Sequence, residues 1–160
     1  MNQLISTLAE LQKNHITHRD IKPQNILIID GNYKLSDFGE VKKLERSGLV
    51  IQRVRGSELF MSPLLFYGLH NNSPNVKHNT YKSDVFSLGM CFFFALALNY
   101  EGVDSIRELK DMKKVKYVMF NQLGNKYSQR LILFILSMLE IEEEKRPDFI
   151  ELESKMKNLF

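Results

Sequence analysis

The chain is poor in the features that announce several common protein classes. It has a single cysteine, Cys91, so no internal disulfide can form, and such cysteine usage fits a reducing, intracellular and cytoplasmic setting. Its 22 basic and 19 acidic residues leave a net charge of only +3. The basic residues are spread over both halves, and that diffuse excess gives no basis for a nucleic-acid partner. No basic start followed by an apolar run opens the chain, so no secretory signal is read at Met1–Glu10. The most apolar segment, Val85 to Leu98, is shorter than the roughly 20 residues of a membrane span. It is expected to be a buried core helix, and no membrane partner is expected. His15, His70 and His78 have no metal-ligand spacing with Cys91 or with one another. Repeats and low-complexity tracts are also missing.

What remains is a 160-residue chain with 44% apolar residues, enough to close one packed core. Leu4, Ile5, Leu8 and Leu11 recur at helical spacing and predict an opening amphipathic helix. Two short apolar runs follow, Ile26–Ile29 and Tyr33–Leu35, joined through Asp30-Gly31-Asn32, a strong hairpin signal. From Glu40 to about Ser83 no period survives, and a long irregular stretch is expected. Beyond Asp84 four helices are predicted: Val85–Leu98, Ser105 to about Phe120, Ser128–Leu139, and Asp148 to about Leu159. The expected fold is mainly α with one small β-hairpin.

The polar chemistry gathers around that hairpin. Counted from Gly31, Asn25 lies six residues before and Asp37 six after, a register that sets them opposite each other at the open end. An amide oxygen beside a carboxylate is a hard oxygen site, suited to Mg²⁺ rather than zinc. Asp20 and Lys22 enter the same end from the preceding loop. They add a carboxylate able to take a proton and a cation able to face negative charge. Singly, Asn and Asp serve equally well as turn residues at strand ends; four such groups together are harder to explain that way.

The segment HRDIKPQN, His18–Asn25, followed by Asp37-Phe38-Gly39, resembles the catalytic and magnesium loops of the eukaryotic protein kinase family. The resemblance implies a serine/threonine kinase that moves the γ-phosphoryl of ATP to a protein hydroxyl with Mg²⁺. Asp20 then matches the catalytic aspartate, Lys22 the lysine of the serine/threonine branch that faces the transferred phosphoryl group, and Asn25 and Asp37 the magnesium ligands. Leu27 matches the aliphatic residue under adenine. His18 and Phe38 match the pair that links the two loops, and Arg19 the residue that grips an activation-loop phosphate. GSELFMSPL, Gly56–Leu64, resembles the end of the activation segment, with Ser57 in the place of a threonine beside the catalytic aspartate. SDVFSLG, Ser83–Gly89, resembles the start of the central helix, whose Asp84 would anchor the catalytic loop. On this reading residues 1–160 form a partial kinase domain. Its catalytic loop is 18–25, its magnesium loop 37–39, its activation segment 37–64 and its helical core 84–160.

Three departures from the family pattern shape the expectations. These 160 residues contain no Gly-rich phosphate loop, no strand lysine and no paired helix glutamate. The resemblance is therefore to the larger, helical lobe with the N-terminal β lobe absent, and a partner or upstream lobe is expected over the cleft. The alternative is a non-catalytic binding module built on that lobe. Next, Leu64 stands where the family has the glutamate that pairs with the arginine matched by Arg146. Another acid, Glu58 or one of Glu142–Glu144, is expected to take over. Last, Ser47 is the only hydroxyl between Asp37 and Ser57, so phosphorylation of this loop is not expected to be required. Lys110, Lys113, Lys114 and Lys116 form a basic helix face that reads as solvated surface or as a docking face.

Overall fold

The computed structural model describes residues 1–45, 48–99, 102, 106 and 110–157. Its helices are α1 (Asn2–Lys13), α2 (Pro63–His70), α3 (Thr80–Ala97), α4 (Met112–Leu123), α5 (Gln129–Met138) and α6 (Phe149–Met156). The strands are β1 (Ile16–Thr17), β2 (Ile26–Ile29), β3 (Asn32–Leu35), β4 (Lys42–Lys43), β5 (Leu49–Arg53) and β6 (Asn75–Asn79). Among the described residues they pair only as two-stranded antiparallel sheets, β1 with β4, β2 with β3, and β5 with β6. The fold is mainly α, as expected.

Helix α3 is the axis of the core. Val85, Phe86, Leu88, Met90 and Phe93 are all buried, because α3 is surrounded over most of its length and its one exposed residue is Ala95, in the last turn. Val115, Met119 and Leu123 of α4, Ile132 and Ile135 of α5, and Phe149 and Leu152 of α6 close around it. Helix α1 lies along α6, with Gln12 Oε1 accepting the amide of Phe149 at 3.0 Å. Its apolar face, Leu4, Ile5 and Leu8, meets the same core.

Helix ends follow local chemistry. The Asn79 side chain accepts the amides of Tyr81 and Lys82, so α3 starts at Thr80, five residues ahead of the expected Val85. Asp148 and Glu151 form a reciprocal capping box at the start of α6. Of the helix expected over Ser105 to about Phe120, residues 105 and 107–109 lie outside the described residues; α4 is capped by Asp111 and continues to Leu123. Likewise α6 is described to Met156, and 158–160 lie outside.

Two expectations need correction. Asn25 and Asp37 are not register partners. Asp30 and Gly31 have φ of 49° and 73°, forming a two-residue turn with both central residues left-handed. Ile29 therefore pairs with Asn32 and Ile26 with Leu35. Ser36 follows opposite Asn25, its amide donating to the Asn25 carbonyl at 2.9 Å, and Asp37 lies one residue past the ladder. The stretch from Glu40 to Ser83 also holds regular structure. Strands β5 and β6 pair from Leu49↔Asn79 to Arg53↔Asn75, and α2 lies between them.

Candidate active site

Strand β1 runs into the loop His18–Lys22, and the buried carboxylate of Asp84 holds that loop from beneath. Asp84 Oδ2 accepts the Thr17 hydroxyl and the His18 amide, each at 2.7 Å, and Oδ1 accepts the Arg19 amide at 2.9 Å. Burial pushes the Asp84 carboxyl above its ordinary value, while these three donors favour its charged form. Arg19 sits at φ 71° and Asp37 at φ 59°, left-handed conformations that a non-glycine residue keeps only when its surroundings enforce them.

Asp20 is the hub of a compact polar cluster. Its Oδ2 accepts from Lys22 Nζ at 2.7 Å and from Asn25 Nδ2 at 3.2 Å. Its Oδ1 accepts both the amide and the hydroxyl of Ser57 at 2.9 Å. Burial raises the Asp20 carboxyl, but hydrogen bonds from Lys22 and Ser57 outweigh it and hold the group below its usual value. Ser57 reaches Asp20 because Gly56, at φ 103°, lies against the Arg19 carbonyl, where a Cβ would come to 2.7 Å.

Asn25 is buried and spends its amide nitrogen on the Asp20 carbonyl at 2.9 Å as well as on Oδ2. No hydrogen bond among the described residues takes its Oδ1. The Asp37 side chain is exposed, and the contact recorded for it is the Gly39 amide at 3.3 Å on Oδ1. Both residues thus keep oxygen lone pairs for a hard cation, a donor set that fits Mg²⁺. Leu27 lies on β2, 42% exposed. His18 Nε2 donates to the Ser36 carbonyl at 3.2 Å, and its ring lies 5.3 Å from that of Phe38, linking the two loops as expected. Arg19 sends its guanidinium to the Arg53 carbonyl at 3.2 Å. Ser47 lies outside the described residues.

The structure therefore brings Asp20, Lys22, Asn25 and Ser57 into one cluster, turns the Arg19 guanidinium to the Arg53 carbonyl, and leaves Leu27 and Asp37 on the flanking hairpin and turn. Thr17 and Gly56 were not singled out from sequence. Gly56 stands directly before Ser57, and that adjacency was the available signal; Thr17 offered none.

Arg146 corrects the remaining expectation. It is 1% exposed, yet no carboxylate among the described residues lies within ion-pairing distance. Its guanidinium is instead enclosed by backbone carbonyls: Nε and Nη2 donate to Glu140 O at 2.9 and 2.6 Å, Nη1 to Lys82 O at 2.9 Å, and Nη2 also to Ile141 O at 3.3 Å. The Phe86 ring covers it at 4.9 Å. Burial lowers its pKa to about 10, against the field of Glu143, Glu140 and Glu144. Glu143 spends one oxygen on the Asn79 amide at 2.8 Å. Glu142 pairs with Lys145, and Glu58 lies 3.3 Å from His70. Carbonyl dipoles satisfy the donors that a carboxylate was expected to satisfy.

A helical core with a short hairpin thus carries an aspartate bonded to a nearby lysine and asparagine, with a glycine-initiated segment closing over it. The family comparison agrees: residues 1–156 match the protein kinase domain, and the chain belongs to the protein kinase family. Its relatives fall on the serine/threonine side of that family. It is 32% identical over 149 residues to the serine/threonine-protein kinase cds1 of Schizosaccharomyces pombe, covering 91% of this chain and 32% of that protein. It is 30% identical over 154 residues to the probable serine/threonine-protein kinase nek2 of Dictyostelium discoideum, covering 94% and 34%. A shorter match, 40% over 106 residues, is to the human serine/threonine-protein kinase/endoribonuclease IRE2, covering 61% of this chain and 11% of that protein. The chain spans about a third of the length of the first two relatives. Among the described residues no helix is long and apolar enough to cross a membrane.

Proposed function

We propose that these residues form the catalytic half of a protein serine/threonine kinase, in which a protein hydroxyl takes the γ-phosphoryl group of ATP. The observation that carries this reading is the Asp20 cluster. Asp20 is the proton acceptor for the incoming hydroxyl. Its low pKa keeps it ionised near neutral pH, and Ser57 fixes the orientation of one oxygen. Lys22, 2.7 Å from the other oxygen, would face the transferred phosphoryl group. Asn25 and Asp37 are the residues that would hold Mg²⁺, and Leu27 would contact the base. Bound Mg²⁺ and ATP supply the phosphoryl donor and the neutralising charge.

Leu27, Ile28 and Phe38, on and after the hairpin, are 42%, 66% and 53% exposed. Apolar surface of that kind calls for a covering element, a further lobe or a partner, to complete the nucleotide clamp. The same exposure, with no Gly-rich loop in these residues, favours a second reading: a kinase-lobe module that binds partners and turns over no nucleotide. A thermal shift of the purified chain with ATP, with and without Mg²⁺, separates the two. The kinase reading expects a magnesium-dependent rise in Tm that Asp37→Ala abolishes. No shift at saturating Mg·ATP supports the module.

A further inference from the structure

Helices α5 and α6 both pack on the α3 core, and an open groove of about 630 Å³ runs between them on the outside. Gln129, Arg130, Leu133, Phe134 and Ser137 of α5 and Lys155 of α6 line it. None of these residues belongs to the hairpin or to the Asp20 cluster. Phe134 is buried, and Leu133 beside it is 41% exposed. Ser137 donates its hydroxyl to the Phe134 carbonyl at 2.7 Å, so that proton is already spent within the helix.

The charge along the groove has one sign. No Asp or Glu lines it, and among the described residues neither Arg130 nor Lys155 makes an ion pair. The acids of α6 are committed elsewhere. Glu153 meets Lys13 of α1 at 3.1 Å, and Glu151 accepts the Asp148 amide at 2.8 Å in the capping box. Arg130 also stands in the first turn of α5, which carries no acidic residue. Its guanidinium therefore adds to the positive end of the helix dipole, with nothing on the helix to offset it.

An apolar strip bordered by two unpaired cations favours a ligand of complementary make-up, with apolar side chains for Leu133 and Phe134 and carboxylates for Arg130 and Lys155. A groove between two helices suits a third helix laid along it. A bilayer fits less well, since a flat surface cannot enter a groove and two cations attract it only weakly. We propose that the α5–α6 groove docks an acidic amphipathic helix of a partner protein. The apolar stripe of that helix covers Leu133 and Phe134, and its flanking Asp or Glu side chains meet Arg130 and Lys155. The site shares no residue with the Asp20 cluster, so it recruits a partner and takes no part in phosphoryl transfer.

The test uses three fluorescein-labelled model helices of about 16 residues. They share one leucine stripe and carry glutamate, glutamine or lysine on its flanks. Titrated with the 160-residue chain without nucleotide, the glutamate helix is expected to bind at least about tenfold more tightly than either of the others. The difference should shrink as salt rises from about 50 to 300 mM, and serine in place of the leucines should abolish binding. In NMR spectra of the chain, the amide shifts should centre on residues 129–137 and Lys155. Arg130→Glu with Lys155→Glu should transfer the preference to the lysine helix, and Leu133→Ser should weaken binding of the glutamate helix. Arg130, Leu133 and Lys155 are exposed, so these variants should keep the parent Tm. Equal binding of the three helices, absence of binding, a preference that survives in folded variants, or shifts centred on residues 26–35 overturns the proposal. So does a chain that ignores the helices and floats with phosphatidylcholine vesicles containing about a quarter phosphatidylserine, a result that would assign the face to a membrane. If a variant does not fold, the peptide contrast and the shift map in the native chain still decide.

Discussion

The carboxylate of Asp84 accepts the backbone amide of Arg19 at 2.9 Å and thereby holds a residue at φ 71°. The strain in the loop and the anchor that sustains it lie 65 residues apart in sequence, so the loop's shape depends on α3 being in place. Asp84→Asn puts an amide NH₂ against donors from Thr17, His18 and Arg19. It should cost about 2–3 kcal/mol in urea unfolding and raise hydrogen exchange at His18 and Arg19. A variant as stable as the parent would show that the loop holds itself.

Gly56→Ala tests the closure of the segment over Asp20. The new Cβ would come to 2.7 Å from the Arg19 carbonyl, on a backbone at φ 103°. The expected loss is about 1–3 kcal/mol, together with loss of the Ser57 hydrogen bonds to Asp20. Chemical-shift changes confined to Gly56 itself would contradict this.

Arg146→Lys separates carbonyl enclosure from simple charge. A lysine ammonium cannot span Glu140, Ile141 and Lys82 carbonyls in the plane that the guanidinium fills. Equilibrium unfolding should show a loss of about 2–4 kcal/mol. If a carboxylate were the true partner, Glu143→Gln would cost as much; enclosure by carbonyls predicts a smaller effect.

His78 should dominate the acid limb of stability. It is 4% exposed, accepts the Ser83 hydroxyl on Nδ1 at 2.8 Å, and burial lowers its pKa to about 4. Between pH 6.5 and 4 the unfolded chain binds a proton that the folded chain refuses. Stability therefore falls as pH falls through that window, by on the order of 3 kcal/mol in total. Unfolding curves of His78→Gln should lose this slope while retaining the carboxylate-driven loss at lower pH.

Much of this was legible in the residues, and the failures have physical causes. Asp30-Gly31 announced the hairpin, but its register required knowing that Asp30 joins Gly31 in the left-handed region, which shifts Asn25 opposite Ser36. The polar cluster was readable because Asp20, Lys22 and Asn25 are close in sequence; its closure by Ser57 needed Gly56 to meet a carbonyl 37 residues before it. Strands β5 and β6 were missed because each is short and finds its partner more than 20 residues away, so neither is stable or periodic alone. Arg146 misled because every residue carries a carbonyl. Sequence shows a missing acid at Leu64 and is silent on which backbone oxygens turn toward a guanidinium.

Paramagnetic relaxation by Mn²⁺·ATP, read in NMR spectra of the 160-residue chain, tests the magnesium–nucleotide site most directly. The side-chain amide of Asn25 and the backbone amides of Asp37–Gly39 should broaden first, only when ATP is present, and Asp37→Asn should abolish the effect. Broadening that ignores ATP and centres on Glu142–Glu144, or no broadening at saturating Mn²⁺·ATP, would contradict the kinase reading.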